Sequence, residues 1–100
     1  MKLQITTVND SLQFAGDLDL YHVEAARDAL RDCLATQSHL PLGLDGVTSC
    51  DASGLQLLLA ARLSATATGK HLHMSGASAA VHNCCRQLGI PSEVIFAPAQ

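Results

Sequence analysis

The sequence has no tryptophan, one tyrosine and two phenylalanines, so its interior cannot be assembled around large rings. Hydrophobic residues still make up 48% of the chain, which leaves Leu, Val, Ile, Ala and Cys to fill the core and favours closely packed layers of helix on sheet. Basic residues are also scarce: six Lys and Arg against nine Asp and Glu give a net charge of −3, and the six are dispersed. With no concentrated positive face for a phosphate backbone, nucleic acid is not the expected partner. A long apolar run is missing too. The most apolar stretch, Leu55 to Leu63, is short and contains Arg62, and the N-terminus alternates apolar and polar residues from Lys2 onward instead of presenting an export signal. The expectation is a soluble cytoplasmic chain without membrane insertion. Cys33, Cys50, Cys84 and Cys85 show no CxxC spacing, so they read as reduced thiols and not as a disulfide framework.

One hundred residues suit a single domain, 1–100, which buries only about two-thirds of its unfolded surface. Leu3 and Ile5 alternate with polar neighbours up to Val8, Asn9-Asp10 supplies turn chemistry, and Leu12 and Phe14 resume the alternation. This pattern predicts an N-terminal β-hairpin ended by Gly16. Asp19 then caps a predicted helix whose apolar stripe is Val23, Ala26, Leu30, Cys33 and Leu34, with Glu24–Arg27 and Asp28–Arg31 pairs on its solvent side. A short strand follows over Leu40, Leu42 and Leu44, despite Pro41, and Asp45-Gly46 marks the loop that leaves it. A helix from about Leu55 to Ala67, with Asp51 as N-cap and Gly69 as its stop, comes next.

Leu72 and Met74 alternate with His71 and His73, which predicts a strand with both imidazoles on one face. Val81, Cys84, Cys85 and Leu88 then fall on one helical face between a Ser78 cap and a Gly89 stop, and Val94-Ile95-Phe96 reads as a final strand after Pro91. The fold class is therefore α/β, with a mixed sheet covered by about three main helices.

A loop that leaves a strand and enters a helix presents free backbone N–H groups and the positive end of the helix dipole. Residues 50–55 form such a loop. Asp51 can satisfy first-turn amides, Ser53 is small enough for a contact surface, and Gly54 lets backbones approach closely. At about 100° per residue Leu57 points away from Leu55, so the helix has two apolar faces, and Leu57, with neighbours Ala60 and Ala61, becomes a candidate partner contact.

The turn stands in company: Gly16-Asp17-Leu18-Asp19 precedes the first helix, Leu42-Gly43-Leu44-Asp45-Gly46-Val47 precedes the loop, and Ser75-Gly76-Ala77-Ser78-Ala79-Ala80-Val81 follows later. In order and spacing these segments resemble the STAS domains, whose soluble members include anti-sigma-factor antagonists and adaptors of partner-switching and chemosensory systems. The resemblance implies a four- or five-stranded sheet with helices against it and no catalysis by the domain. It also implies signal transduction by protein–protein interaction with a serine-kinase-like anti-sigma factor or a chemosensory protein, without a cofactor. An alternative within the same resemblance is the soluble STAS subunit that supports the ATPase of a lipid-transport ABC complex.

Carried over position by position, Asp19 matches the family's acidic residue near the turn and Asp51 matches the turn's own aspartate. The hydroxyl residue that many members phosphorylate falls at Ala52, which has no hydroxyl, and Ser53 matches a second hydroxyl that is not the usual acceptor. Gly43 also departs from a commonly polar or acidic position. The implied partner-binding set is Asp19, Asp51, Ala52, Ser53, Gly54 and Leu57. Either the turn stays permanently in its unphosphorylated form or Ser53 has become the acceptor.

Other chemistries fit less well. His71 and His73 lack a third ligand at metal spacing, with His22, His39 and His82 isolated in sequence, so no metal is expected. Ser53 lacks the preceding glycine of a nucleophile elbow, and Gly69-Lys70 lacks the rest of a P-loop. A thiol enzyme would need Cys50 activated at the helix terminus.

Overall fold

The computed structural model describes residues 2–76 and 78–96. Ala77, within the Ser75–Val81 stretch, and residues 1 and 97–100 of the expected 1–100 unit lie outside the described residues. The element order is β1 (Gln4–Val8), β2 (Ser11–Leu18), α1 (Val23–Thr36), β3 (His39–Cys50), α2 (Ala52–Ala67), β4 (His71–Ser75), α3 (Ala79–Gln87) and α4 (Glu93–Phe96). The sheet runs β1-β2-β3-β4, antiparallel in the hairpin and parallel across β2–β3 and β3–β4. This is the mixed sheet with an N-terminal hairpin expected from the sequence. Asn9 turns the hairpin at φ 56°, a left-handed conformation that its short polar side chain tolerates.

The alternation of the strands makes the sheet one-sided. Leu12, Phe14, Leu40, Leu42, Leu44, Leu72 and Met74 are buried beneath the helices, while Gln13, Pro41 and His73 on the opposite face are exposed. From the helical side the core is completed by Ala26 and Leu30 of α1, Leu55 and Leu58 of α2, and Val81, Cys84 and Cys85 of α3. The expected stripes therefore point inward, except that Leu88 is 46% exposed because α3 ends at Gln87 and Leu88 serves as its C-cap. Ser78 caps α3 as expected, its hydroxyl accepting from Val81 N at 3.3 Å.

Three expectations need correction. Gly16 does not end β2: it sits buried inside the strand at φ +97°, where an added Cβ would strike the Lys2 carbonyl, and β2 continues to Leu18. The third strand is twelve residues long instead of ending at Leu44. Asp45-Gly46 is absorbed by register shifts against β2, where Gln13 pairs with Gly43 but Ala15 with Gly46, so the chain bends without leaving the sheet. Pro41 lies on the exposed face opposite His73, one residue before the pairing of β3 with β2 begins at Leu42, so on that side the ladder asks for no donor from it. Finally, Val94-Ile95-Phe96 forms the short α4 and not a strand. Val94 N and Ile95 N donate back to Pro91 O and Ser92 O, both at 3.0 Å, and Arg62 of α2 donates to the Val94 and Ile95 carbonyls, which holds Ile95 in the core.

The tightest joint in the fold lies where α2 begins. A Cβ on Gly54 would fall inside the Leu18 carbonyl oxygen and 2.9 Å from Leu18 Cγ, so α2 packs against the end of β2 at a distance only glycine permits. Gly54→Ala gains helix propensity but must push this joint apart. We expect a net loss of roughly 1–3 kcal/mol in unfolding free energy, measured by urea denaturation, with the two-state slope preserved.

Candidate functional site

Two connections meet at the carboxyl end of the parallel strands, one from β2 to α1 and one from β3 to α2. The second is Asp51 alone, because with Asp51 as cap α2 begins at Ala52 and not near Leu55, so Ala52, Ser53 and Gly54 form the first helical turn and not the loop expected over residues 50–55. Asp51 joins them. Its backbone is extended at φ −114° and ψ −176°, so it can cap α2, and Oδ1 accepts from Gly54 N at 3.0 Å. Its other oxygen, Oδ2, accepts from Leu20 N at 3.1 Å, and Asp51 N donates to Leu18 O at 3.3 Å. One carboxylate therefore satisfies amides from both loops. The expected N-cap is in place, with a cross-loop role that sequence spacing did not reveal.

Asp19 does not cap α1 as expected. The N-cap is His22, which makes no side-chain cap bond, because three residues intervene before the helix starts at Val23. Asp19 Oδ1 instead accepts from Tyr21 N at 3.1 Å and lies 2.6 Å from His22 Nδ1, closing a local turn that fixes the path of Leu20 and Tyr21. Ser49 Oγ donates to Asp17 Oδ1 at 2.9 Å, a further tie between the ends of β2 and β3.

The sequence-predicted residues thus separate into two places. Asp19, Asp51, Ala52, Ser53 and Gly54 gather at the loop junction, where Asp51 and Ala52 are exposed, Ser53 is half-buried and Gly54 is buried. Leu57 lies further along α2, half-buried and facing α1 across a groove. What the sequence reading missed is the pair beside the turn: Leu20 is 63% exposed and Tyr21 87% exposed, and Leu20 is tied to Asp51 through its backbone. An available signal was the chain's single tyrosine, set between Asp19 and His22 and outside the apolar stripe of α1.

The histidines also need revision. His39 is not isolated: its ring stacks on His71 with centroids 4.8 Å apart and lies 6.0 Å from His73, on the open face of the sheet. The rings lie nearly parallel instead of converging on a point, and among the described residues no group of three or more His, Cys, Asp or Glu is arranged to hold a metal ion. His22 is engaged with Asp19, and His82 lies against Phe96 at 5.6 Å.

A family model described as Mlab, STAS domain matches residues 1–95. Comparison with curated proteins gave no match. Among solved structures, the anti-sigma factor antagonist SpoIIAA in its unphosphorylated form is similar with a TM-score of 0.69 at 17% identity, covering 99% of this chain and 89% of that one. An anti-sigma factor antagonist from Mycobacterium paratuberculosis gives a TM-score of 0.72 at 15% identity over 96% of this chain and 82% of its own. The STAS domain of a SulP transporter from Vibrio cholerae gives 0.58 at 22% identity, over 90% and 71%. At these identities the likeness is one of fold. No helix among the described residues is long and apolar enough to cross a membrane.

The thiol at the start of the site has the opposite of nucleophilic tuning. Cys50 Sγ lies 3.6 Å from Asp51 O, and its pKa is pushed up from 9.0 to about 12, first by burial and then by the Cys84 thiol and the negative charge of Asp51. Burial likewise raises Cys85. Because the folded chain holds this proton more tightly than the unfolded one, the associated stability is complete below pH 9 and is lost as pH climbs toward 12. Denaturant titrations at rising pH should show stability falling above pH 9, and Cys50→Ala should flatten part of that fall.

Proposed function

Since the chain belongs to the STAS family, we propose that it is a non-enzymatic regulatory adaptor that docks a protein partner on the loop junction of Asp19, Asp51, Ala52, Ser53 and Gly54. The observation that carries this reading is the pairing of exposed apolar side chains with a braced backbone. Leu20 and Tyr21 stand out at 63% and 87% exposure from a loop held by Asp51 Oδ2 and Asp19 Oδ1. An exposed tyrosine on a fixed backbone buries large area at little cost in entropy, and such residues anchor interfaces. The partner supplies an apolar pocket for this pair and approaches the exposed Asp51–Ala52 step.

The partner class we favour is a serine-kinase-like anti-sigma factor or a chemosensory signalling protein, in keeping with the antagonists of similar fold. Ala52 is exposed and occupies the position where the family resemblance puts the phosphorylated hydroxyl, and it has no hydroxyl. A phosphate there would bring roughly −1.5 to −2 charges beside Asp51. With Ser53 half-buried behind it, the turn remains in its binding form without a phosphate switch. A second reading, the STAS subunit of a lipid-transport ABC complex, draws on the matched family model, described as Mlab, STAS domain, and on transporter STAS domains of similar fold.

The deciding experiment is affinity purification of the tagged chain from its native cell, with identification of the bound protein. A kinase-fold or chemosensory component supports the adaptor, and a transporter ATPase selects the second reading. With that protein in hand, Tyr21→Ala and Ala52→Glu should each weaken binding by about tenfold or more, measured by calorimetry. Incubation with the kinase and ATP should leave Ser53 unmodified by mass spectrometry; phosphate on Ser53 with loss of binding would overturn the constitutive reading.

A further inference from the structure

The flank of α2 that faces away from the sheet presents a second surface, separate from the loop junction. A groove of about 460 Å³ runs between α1 and α2, with Leu30, Leu34, Leu57 and Ala61 among its apolar walls. It extends along α2 from Leu57 to Thr68, a run of about 16 Å at 1.5 Å per residue, and along α1 from Arg27 to Ala35. The groove thus runs about three helical turns along α2 and about two along α1, and is open to solvent.

Its charge is one-signed. Arg27, Arg31 and Lys70 line it, three of the six basic residues of a chain whose net charge is −3, and no Asp or Glu is among its lining residues. Arg27 and Arg31 stand one turn apart on α1. On α1 itself Glu24 lies 3.8 Å from Arg27, and Asp28 lies 3.7 Å from Arg27 and 2.7 Å from Arg31, all in pairs whose side chains are half or more exposed, and such pairs are exchanged at little cost. Lys70 donates one ammonium proton to Leu34 O at the end of α1, which anchors the cation at the far end of the groove and leaves its other protons for an acceptor.

We propose that this groove docks an amphipathic helix of a protein partner, one with an apolar stripe three turns long and acidic residues along one edge, spaced to meet Arg27 and Arg31. The length, the helical walls and the regular spacing of the cations fit a third helix laid between two. The complementary charge sets its register, since acidic side chains one turn apart face the two arginines and a further one reaches Lys70. This surface does not depend on the identity of the protein bound at the loop junction.

The test uses the full chain and two synthetic helical peptides of identical apolar stripe, one with glutamates along the edge and a twin with lysines there. Binding is read from backbone amide NMR shifts and from fluorescence anisotropy. The acidic peptide should shift amides of residues 27–35 and 57–68 and bind at least about tenfold more tightly than its twin. The double variant Arg27→Glu, Arg31→Glu should invert that preference, whereas Arg86→Glu, a single charge reversal on α3, should leave its sign unchanged; unbound spectra establish that each variant is folded. Equal affinity for the two peptides, no binding of either, or shifts centred elsewhere would overturn the proposal. So would occupation of the groove by dodecanoate with the acidic peptide excluded, or its burial by a second copy of the chain, seen as dilution-dependent shifts at the same amides.

Discussion

A single carboxylate holds the working end of the molecule together. Asp51 closes the first turn of α2 with one oxygen and grips the amide of Leu20 with the other, so that two crossover loops with no sequence proximity share one brace. Without that brace α2 would lose its cap, and the loop carrying Leu20 and Tyr21 would lose its anchor to the sheet. The contact of Gly54 with the Leu18 carbonyl works in the same direction, since it seats the start of α2 against the end of β2 and fixes the distance between the loops. Local capping, helix docking and presentation of the exposed pair are thus one arrangement seen at three scales.

The one-sided sheet explains where such an arrangement can sit. Because β2, β3 and β4 run parallel, with their large apolar side chains turned to the helices, the connections that leave β2 and β3 are gathered at one end, at the carboxyl edge of those strands. Loops in this position receive backbone amides from helix starts and are free of packing duties, which is the general reason that binding surfaces of α/β sheets lie there. The open face carries the stacked His39, His71 and His73, with Gln13 and Pro41 exposed on the same side.

Much of this was legible in the sequence. The hairpin, the two capped helices α2 and α3, and the strand of His71–Ser75 follow from periodicity and cap chemistry, because each depends on neighbours within a few residues. What failed depends on partners far along the chain. Pro41 and Asp45-Gly46 look like strand breakers, yet the parallel neighbours of β3 hold it through a bulge, with Leu44 and Val47 both buried across the interruption. Val94-Ile95-Phe96 has the composition of a strand but is held as a helical turn by Arg62, thirty-two residues earlier than Val94. In the site, the Asp51 cap was readable from its position before a helix. Its grip on Leu20, the displacement of Asp19 from cap to local turn, and the exposure of Tyr21 were not, since each is set by how the two loops lie against each other.

The poverty in aromatic residues has an optical consequence. With no tryptophan in the chain, Tyr21 is its only indole- or phenol-bearing side chain, and it projects from the braced loop almost fully into water. Near-ultraviolet absorbance and intrinsic fluorescence of the protein therefore come almost wholly from one point on its surface. The molecule carries a native spectroscopic reporter at its loop junction, silent about the core and responsive to whatever closes over that ring.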